Sequence, residues 1–360
     1  MSSCLERKGG VFFASDNWAG ADARINQAIL DHGGGFKSGY NSGELDREVT
    51  EQLSRIFERD VSVFFVATGT AANSLAIASV SKAGSVTFCH EDSHVVTDEC
   101  GGPEFFSGSR LCPVPGRLGK MDPEALRAAI GRFPADFLHH GRPGAVSITQ
   151  ATEIGTVHSP DEIKAIAAMA REYDLPVHMD GARFANALVS LGVTPAEMTW
   201  KAGVDLLSFG GTKNGCWCAE ALVCFDPALS RELAFHHKRA GQLFSKSRFV
   251  AAQFKGYLDE DHWLDMARHA NAMTSRLAAH IENSPHARLA FRPEANETFM
   301  ILEKTRAEEL RKKGAVFYEW RLPLSHEDLL AGSQEELYRL VTSFATSTGE
   351  VDAFGEALAD

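Results

Sequence analysis

Four short segments of this 360-residue chain place reactive or anion-binding groups where a strand gives way to a turn. In Thr68-Gly69-Thr70-Ala71-Ala72-Asn73 an apolar run stops, small residues turn, and a helical pattern begins. Free amides at a helix start, with threonine hydroxyls beside them, make an anion site suited to phosphate. His178-Met179-Asp180-Gly181-Ala182-Arg183 delivers a carboxylate and a guanidinium from one strand end. The carboxylate can hold a protonated ring nitrogen, and the arginine can take a carboxylate bidentately. Ser208-Phe209-Gly210-Gly211-Thr212-Lys213-Asn214-Gly215 sets a lysine in a glycine-rich turn. A lysine desolvated there can act as an amine nucleophile, and the glycines let a ligand approach closely. The fourth segment, His90-Glu91-Asp92-Ser93-His94, lacks the spacing of a metal site such as HExxH. No metal is assigned; an imidazole that stacks on a planar ring or moves a proton fits better.

Taken singly, each segment has an ordinary reading: a βα loop, a surface ion pair, a solvated lysine. Together they make a phosphate cradle, a carboxylate for a ring nitrogen, an imine-forming lysine and an arginine for a substrate carboxylate. Pyridoxal phosphate chemistry requires that set.

The elements that must position these groups alternate. A helix face runs through Leu45, Val49, Leu53, Ile56 and Phe57, followed by a β-branched run at 61–67. Further short strands are predicted at 85–89, 145–149, 175–179 and 205–209. Asp122-Pro123-Glu124 and Ser159-Pro160-Asp161-Glu162 read as helix starts, with a capping side chain and proline in the first turn. Strand and helix in turn imply βαβ units and a mainly parallel sheet, whose strand ends line a ligand crevice. Beyond about residue 240 the texture changes to a long helix through Trp263, Met266, Ala270, Met273, Leu277 and Ile281. Strands near 298–302 and 338–344 and a last helix through Val351, Phe354 and Leu358 complete a smaller α+β unit. The expected division is a large domain over 1–245, with an N-terminal arm, and a small C-terminal domain over 246–360.

With 44% hydrophobic and 23% charged residues the chain can bury a sizeable core. Thirty-six basic against 48 acidic residues give a net charge of −12, which argues against nucleic acid as a partner. No apolar run reaches the ~20 residues that span a bilayer, and the start carries no apolar signal core. A cytoplasmic protein with no membrane partner follows as the expectation. Its seven cysteines show no CxxC pair and read as reduced thiols.

On these strings the sequence resembles the pyridoxal-phosphate enzymes of the aspartate-aminotransferase-like fold, fold type I. Within them it is similar to the low-specificity L-threonine aldolases and the L-phenylserine aldolases. Further matching strings are Ala14-Ser15-Asp16-Asn17, His94 with Asp98-Glu99-Cys100-Gly101, Ile148-Thr149-Gln150-Ala151-Thr152-Glu153 and Met198-Thr199-Trp200-Lys201-Ala202-Gly203-Val204-Asp205. The similarity runs from about Phe13 to the C-terminus.

The resemblance implies retro-aldol cleavage of L-β-hydroxy-α-amino acids to glycine and an aldehyde, with pyridoxal 5'-phosphate as cofactor. A phenylserine aldolase is the alternative, then a β-eliminating lyase or racemase. It also implies roles. Lys213 would form the imine with the cofactor, and Asp180 would pair with the pyridine nitrogen. Gly69 and Thr70 would bind the phosphate. His94 would stack on the ring and lead the candidates for general base. Ser15, Arg183 and Arg339 would hold the substrate carboxylate, and Tyr40 would reach the active site from its loop. A homodimer or homotetramer is implied, with Lys238 and Arg248 candidates for a neighbour's phosphate. The chain departs from relatives at Asn41-Ser42, at Glu153 where many carry histidine, at Cys216-Trp217-Cys218 and over 320–334. Trp217 either narrows the pocket or packs beneath the lysine, and packing is favoured.

Overall fold

The computed structural model describes residues 10–324, 329–330 and 332–360. Seven strands form its main sheet: β1 (Ser62–Val66), β2 (Ser85–His90), β3 (Arg110–Val114), β4 (Arg142–Thr149), β5 (Val177–Gly181), β6 (Leu206–Gly210) and β7 (Glu220–Cys224). Their spatial order is β1-β7-β6-β5-β4-β2-β3. Neighbours from β6 to β3 pair in parallel, whereas β7 runs antiparallel between β6 and β1. Strands β2, β5, β6 and β7 are buried along their full length, as a sheet covered on both faces requires. β6 and β7 carry short apolar runs, Leu206-Leu207 and Ala221-Leu222-Val223, whereas β2 and β5 bury Thr87, His90, His178 and Asp180 between apolar neighbours.

The helix after β1, Gly69–Val80, is buried on nearly every side, and its small residues let it pack close to the sheet. Thr68 caps it by accepting the Ala71 amide at 3.1 Å. Ser159 and Glu162 form the expected reciprocal capping box at the start of Pro160–Arg171. Phe57, Phe184, Phe209, Phe254, Tyr257 and Trp263 interlock under the sheet with ring centroids 5.6–6.5 Å apart. Removing one such buried ring costs about 3–5 kcal/mol. Phe209 stands one residue before Gly210, so this cluster anchors the strand that carries Lys213.

A second core gathers Val11, Phe13, Met273, Leu277, Ile281, Met300, Leu302, Tyr338, Leu340, Phe354 and Leu358. It lies against an antiparallel sheet in which Glu297–Glu303 pairs with Glu335–Val341, flanked by Ala287–Leu289 and Tyr318–Glu319. Val11–Phe12 pairs in parallel with Ala315–Val316, tying the start of the chain to this unit. The long helix His262–Glu282 joins the two cores. Trp263, Met266 and Ala267 belong to the first, and Met273, Leu277 and Ile281 to the second.

Candidate active site

The parallel strands end at one edge of the main sheet, and the chemistry collects there. Turns after β1, β2, β4 and β6, together with the end of β5, border a cavity of about 230 Å³. Gly69, Thr70, His94, Asp180 and Lys213 all line it, with Asn17, Thr68, Asn73, Glu99, Glu153, Thr212 and Glu220 among their neighbours. Five residues singled out along 145 positions of sequence (213 − 69 + 1) thus share one hollow.

Each is held by local structure. The first amides of a helix lack intrahelical acceptors. Thr68 takes the Ala71 amide, which leaves those of Gly69 and Thr70 for a ligand. Nothing lies within 4 Å of where a Cβ on Gly69 would stand, so the cradle is open there. Lys213 sits in the short 3-10 turn Thr212–Asn214 directly after β6. Asn214 pins that turn by donating to the Tyr257 hydroxyl at 3.0 Å and the Trp263 carbonyl at 2.8 Å. Gly215 closes it at φ +113°, where a Cβ would meet Met266 Sδ at 2.8 Å.

Asp180 is buried at the end of β5 and accepts the Ala182 amide at 3.0 Å and Asn73 Nδ2 at 2.9 Å. Asn73 also donates to Glu99 Oε1 at 2.7 Å, and His94 Nδ1 stands 2.9 Å from the same oxygen. A chain His94–Glu99–Asn73–Asp180 therefore fixes both the imidazole and the carboxylate. Burial alone would push His94 down, but Glu99, helped by Glu153 and Asp180, holds it above its ordinary value. Sequence reasoning gave no role to Asn73 or Glu99. The available signal was a polar residue one helical turn beyond Gly69 on an otherwise apolar helix.

Glu220 was also missed. It is the first residue of the antiparallel β7, facing Val66 and Gly210 across the sheet, and accepts the Thr212 amide at 3.3 Å. Burial pushes its carboxyl up to about 7, against the pull of the Thr212 contacts and Lys213. The folded chain then keeps this proton where the unfolded chain has lost it. Stability falls as pH rises from the ordinary glutamate range towards 7. Unfolding midpoints across that window should fall less steeply for Glu220→Gln than for the parent, and parallel curves would refute the assignment.

Four expected site residues do not border the cavity. Arg183 is buried in ion pairs, with Asp16 at 2.8 and 3.1 Å and with Glu297 at 3.2 Å. Burial opposes its charge, but those two carboxylates hold it well above the usual arginine value. Arg339 lies with its guanidinium 3.7 Å over the Trp320 ring and reaches Glu297 Oε1 at 3.4 Å. Ser15 caps the turn Asp16–Trp18 by accepting the Asn17 amide at 3.2 Å; Asn17, not Ser15, borders the cavity. Tyr40, at φ +58°, is more than half exposed, with Lys238 over its ring at 5.5 Å. Asp16 and Glu297 had no mark in the sequence because their partners lie 167 and 114 (297 − 183) positions away.

The packing favoured for Trp217 is corrected: its side chain is 57% exposed, while Cys216 takes the buried place beside the lysine turn. Its backbone amide is held by Gln253, which leaves the indole turned outward. The six described cysteines are free thiols, and Cys4 lies outside the described residues. His90, Glu91 and Asp92 lie close together, but Nδ1 of His90 accepts the Asp92 amide and its Nε2 meets the Gly116 carbonyl.

The chain is 44% identical to a low-specificity L-threonine aldolase of Pseudomonas aeruginosa, over 85% of this chain and 88% of that one. The chain belongs to the low-specificity L-threonine aldolase family. A second member, from a Pseudomonas species, is 43% identical over the same shares. A family model described as beta-eliminating lyase matches residues 13–330. A solved threonine aldolase of Leishmania major superposes with TM-score 0.89 at 26% identity, covering 97% of this chain and 98% of that one. Serine palmitoyltransferase of Sphingomonas wittichii, at TM-score 0.69 and 15% identity, covers 97% and 86% and shares the fold alone. The architecture is that of the fold type I enzymes, and the cofactor of the family is pyridoxal 5'-phosphate.

The cavity of this aldolase-family chain fits that cofactor. It offers open amides for a phosphate, a buried carboxylate for a ring nitrogen and a lysine for an aldehyde carbon.

Proposed function

We propose that the protein cleaves L-β-hydroxy-α-amino acids, threonine and allo-threonine among them, to glycine and an aldehyde. The convergence of Lys213, Asp180, His94 and the Gly69–Thr70 helix start on one cavity carries this reading. The names of the Pseudomonas relatives support the substrate class.

Pyridoxal phosphate, when bound, supplies an electron sink for the pair released at Cα. Lys213 would bond its aldehyde carbon, Gly69 and Thr70 its phosphate and Asp180 its ring nitrogen, with His94 against the ring. Asn73 keeps Asp180 in place, and Glu99 keeps the His94 ring turned by its Nδ1. Arg183 and Arg339, with Ser15 nearby, are proposed for the substrate carboxylate. Burial raises Glu297 above its ordinary value, outweighing both arginines. Arg183 and Arg339 both reach Glu297, so the two guanidiniums lie close enough together to face one incoming carboxylate.

A homodimer or homotetramer is proposed. Leu30, Phe36 and Tyr40 expose apolar surface along one stretch of chain, which supports burial against a second copy. Lys238 and Arg248 are engaged within their own chain, over Tyr40 and at the Gly35 carbonyl, beside that stretch. Among the described residues no helix is long and apolar enough to cross a membrane. Residence in the cytoplasm is part of the proposal.

Incubation of the holoenzyme with threonine, allo-threonine and phenylserine tests the function. Glycine with an aldehyde supports it. A 2-oxo acid with ammonia would indicate elimination instead, and an inverted amino acid a racemase. The rate ratio between threonine and phenylserine separates the aliphatic from the aromatic reading.

A further inference from the structure

Among the acidic residues bordering the cavity, three are spoken for. Glu99 receives Asn73 and meets His94, Asp180 receives Asn73 and the Ala182 amide, and Glu220 receives the Thr212 amide. Glu153 is the exception. It is 9% exposed and borders the cavity, yet takes no hydrogen bond or ion pair among the described residues. A carboxylate at a cavity wall with no donor of its own is left to accept one from a ligand.

The turn that carries it is clamped. Gln150 donates its backbone amide to the Asp180 carbonyl at 2.7 Å, and its side chain exchanges two hydrogen bonds with the His158 backbone. The Thr152 amide bonds the Thr156 carbonyl at 2.9 Å, and the Thr156 hydroxyl donates to the Leu118 carbonyl at 2.6 Å. Gly155 turns the chain at φ +74°, pressed so close to the Glu297 carbonyl that a Cβ would stand 2.8 Å from it. Gln150, Thr152, Ile154 and Thr156 are all buried, so Glu153 has little freedom to leave the cavity.

An ionised carboxylate accepts and does not donate. It would repel a substrate carboxylate, and the substrate amine is taken up in bonding at the lysine position. The β-hydroxyl is the donor that remains. His94 suits proton removal poorly. Its Nδ1 is tied to Glu99, which already fixes how the ring is turned.

We propose that Glu153, rather than His94, accepts the proton of the substrate β-hydroxyl during cleavage. The inference rests on the aldolase reading above. The O–H bond breaks and its proton passes to a Glu153 oxygen. The O–H electron pair becomes the second carbon–oxygen bond of the departing aldehyde. The Cα–Cβ pair passes to Cα, which takes up one proton to give glycine, so one proton leaves the hydroxyl and one enters at carbon. Glu153 then returns its proton to water.

The holoenzyme allows a clean test, because exchange of a glycine Cα hydrogen with deuterated water needs the same cofactor machinery and no hydroxyl. Aldehyde release from threonine and glycine exchange followed by nuclear magnetic resonance are compared in the parent, Glu153→Gln and Glu153→Asp, with cofactor absorption as a check on loading. The ratio of cleavage to exchange should fall ~10²–10⁴-fold in Glu153→Gln, the usual reach of a general base. Glu153→Asp should recover part of it. An unchanged ratio, whether both rates persist or fall together, overturns the proposal, as does loss of cofactor in both variants. A parent enzyme that exchanges glycine but yields no aldehyde from threonine strikes the aldolase reading itself. An aldolase-active parent with an unchanged ratio strikes Glu153 alone.

Discussion

Lys213→Ala is expected to lose the covalent cofactor link, its visible absorption and aldehyde release together. Lys213 borders the cavity from a turn fixed by Asn214, Tyr257 and Trp263, so its amine has a defined place to react from. Removing the side chain leaves the turn's own hydrogen bonds intact, because they run through Asn214 and the backbone. The fold should survive, with an unfolding midpoint near that of the parent apoprotein. Cofactor should then be removable by dialysis, and turnover should fall ~10⁴-fold, the scale on which loss of an essential nucleophilic partner falls elsewhere. Absorption by bound cofactor and aldehyde release are the two measurements. Either one retained at the parent level would remove Lys213 from its proposed role.

Asp180→Asn should separate charge from shape. The amide keeps the volume of the buried side chain, and its oxygen can still receive Asn73 or the Ala182 amide. The negative charge opposite a ring nitrogen is lost, and with it the pull that keeps that nitrogen protonated. Cofactor should still bind through Lys213 and the Gly69–Thr70 amides. Turnover at saturating substrate should drop ~10²–10³-fold, the loss typical when one charge-stabilising partner is removed from a closed site. Asp180→Ala should be at least as slow, and less stable, because Asn73 and the Ala182 amide both lose an acceptor. An essentially unchanged kcat in Asp180→Asn would refute the role. Because Asp180 and His94 share the Asn73–Glu99 chain, effects of paired substitutions there should fall short of additivity.

Much of the fold was legible. The strands expected at 61–67, 85–89, 145–149 and 205–209 correspond to Ser62–Val66, Ser85–His90, Arg142–Thr149 and Leu206–Gly210. The long helix appears as His262–Glu282. These elements announce themselves because buried strands gather short runs of β-branched and apolar residues between breakers, and burial on one helix face demands a stripe. Strand β7 escaped, although Glu220–Cys224 is an apolar run like the others. Antiparallel insertion between β6 and β1 is a matter of pairing, and pairing leaves little trace in one strand's own residues. Missing β7 concealed Glu220 and its place at the active edge.

The sequence by itself determined which groups are present and which local geometry each has. A strand end, a helix start and a glycine-rich turn are short-range features, set by residues within a few positions of one another. That is why Gly69, Thr70, His94, Asp180 and Lys213 could be chosen before any fold was in view, and why they meet in one cavity. Only the tertiary structure decided how charges are shared. Arg183 finds Asp16 and Glu297, Arg339 stacks on Trp320, and Asn73 links Asp180 to Glu99, each across a long stretch of chain. It also left Glu153 at the cavity wall without a hydrogen-bond donor of its own. Whether a buried charge is satisfied depends on partners brought together by folding, and those distances are no property of any local segment.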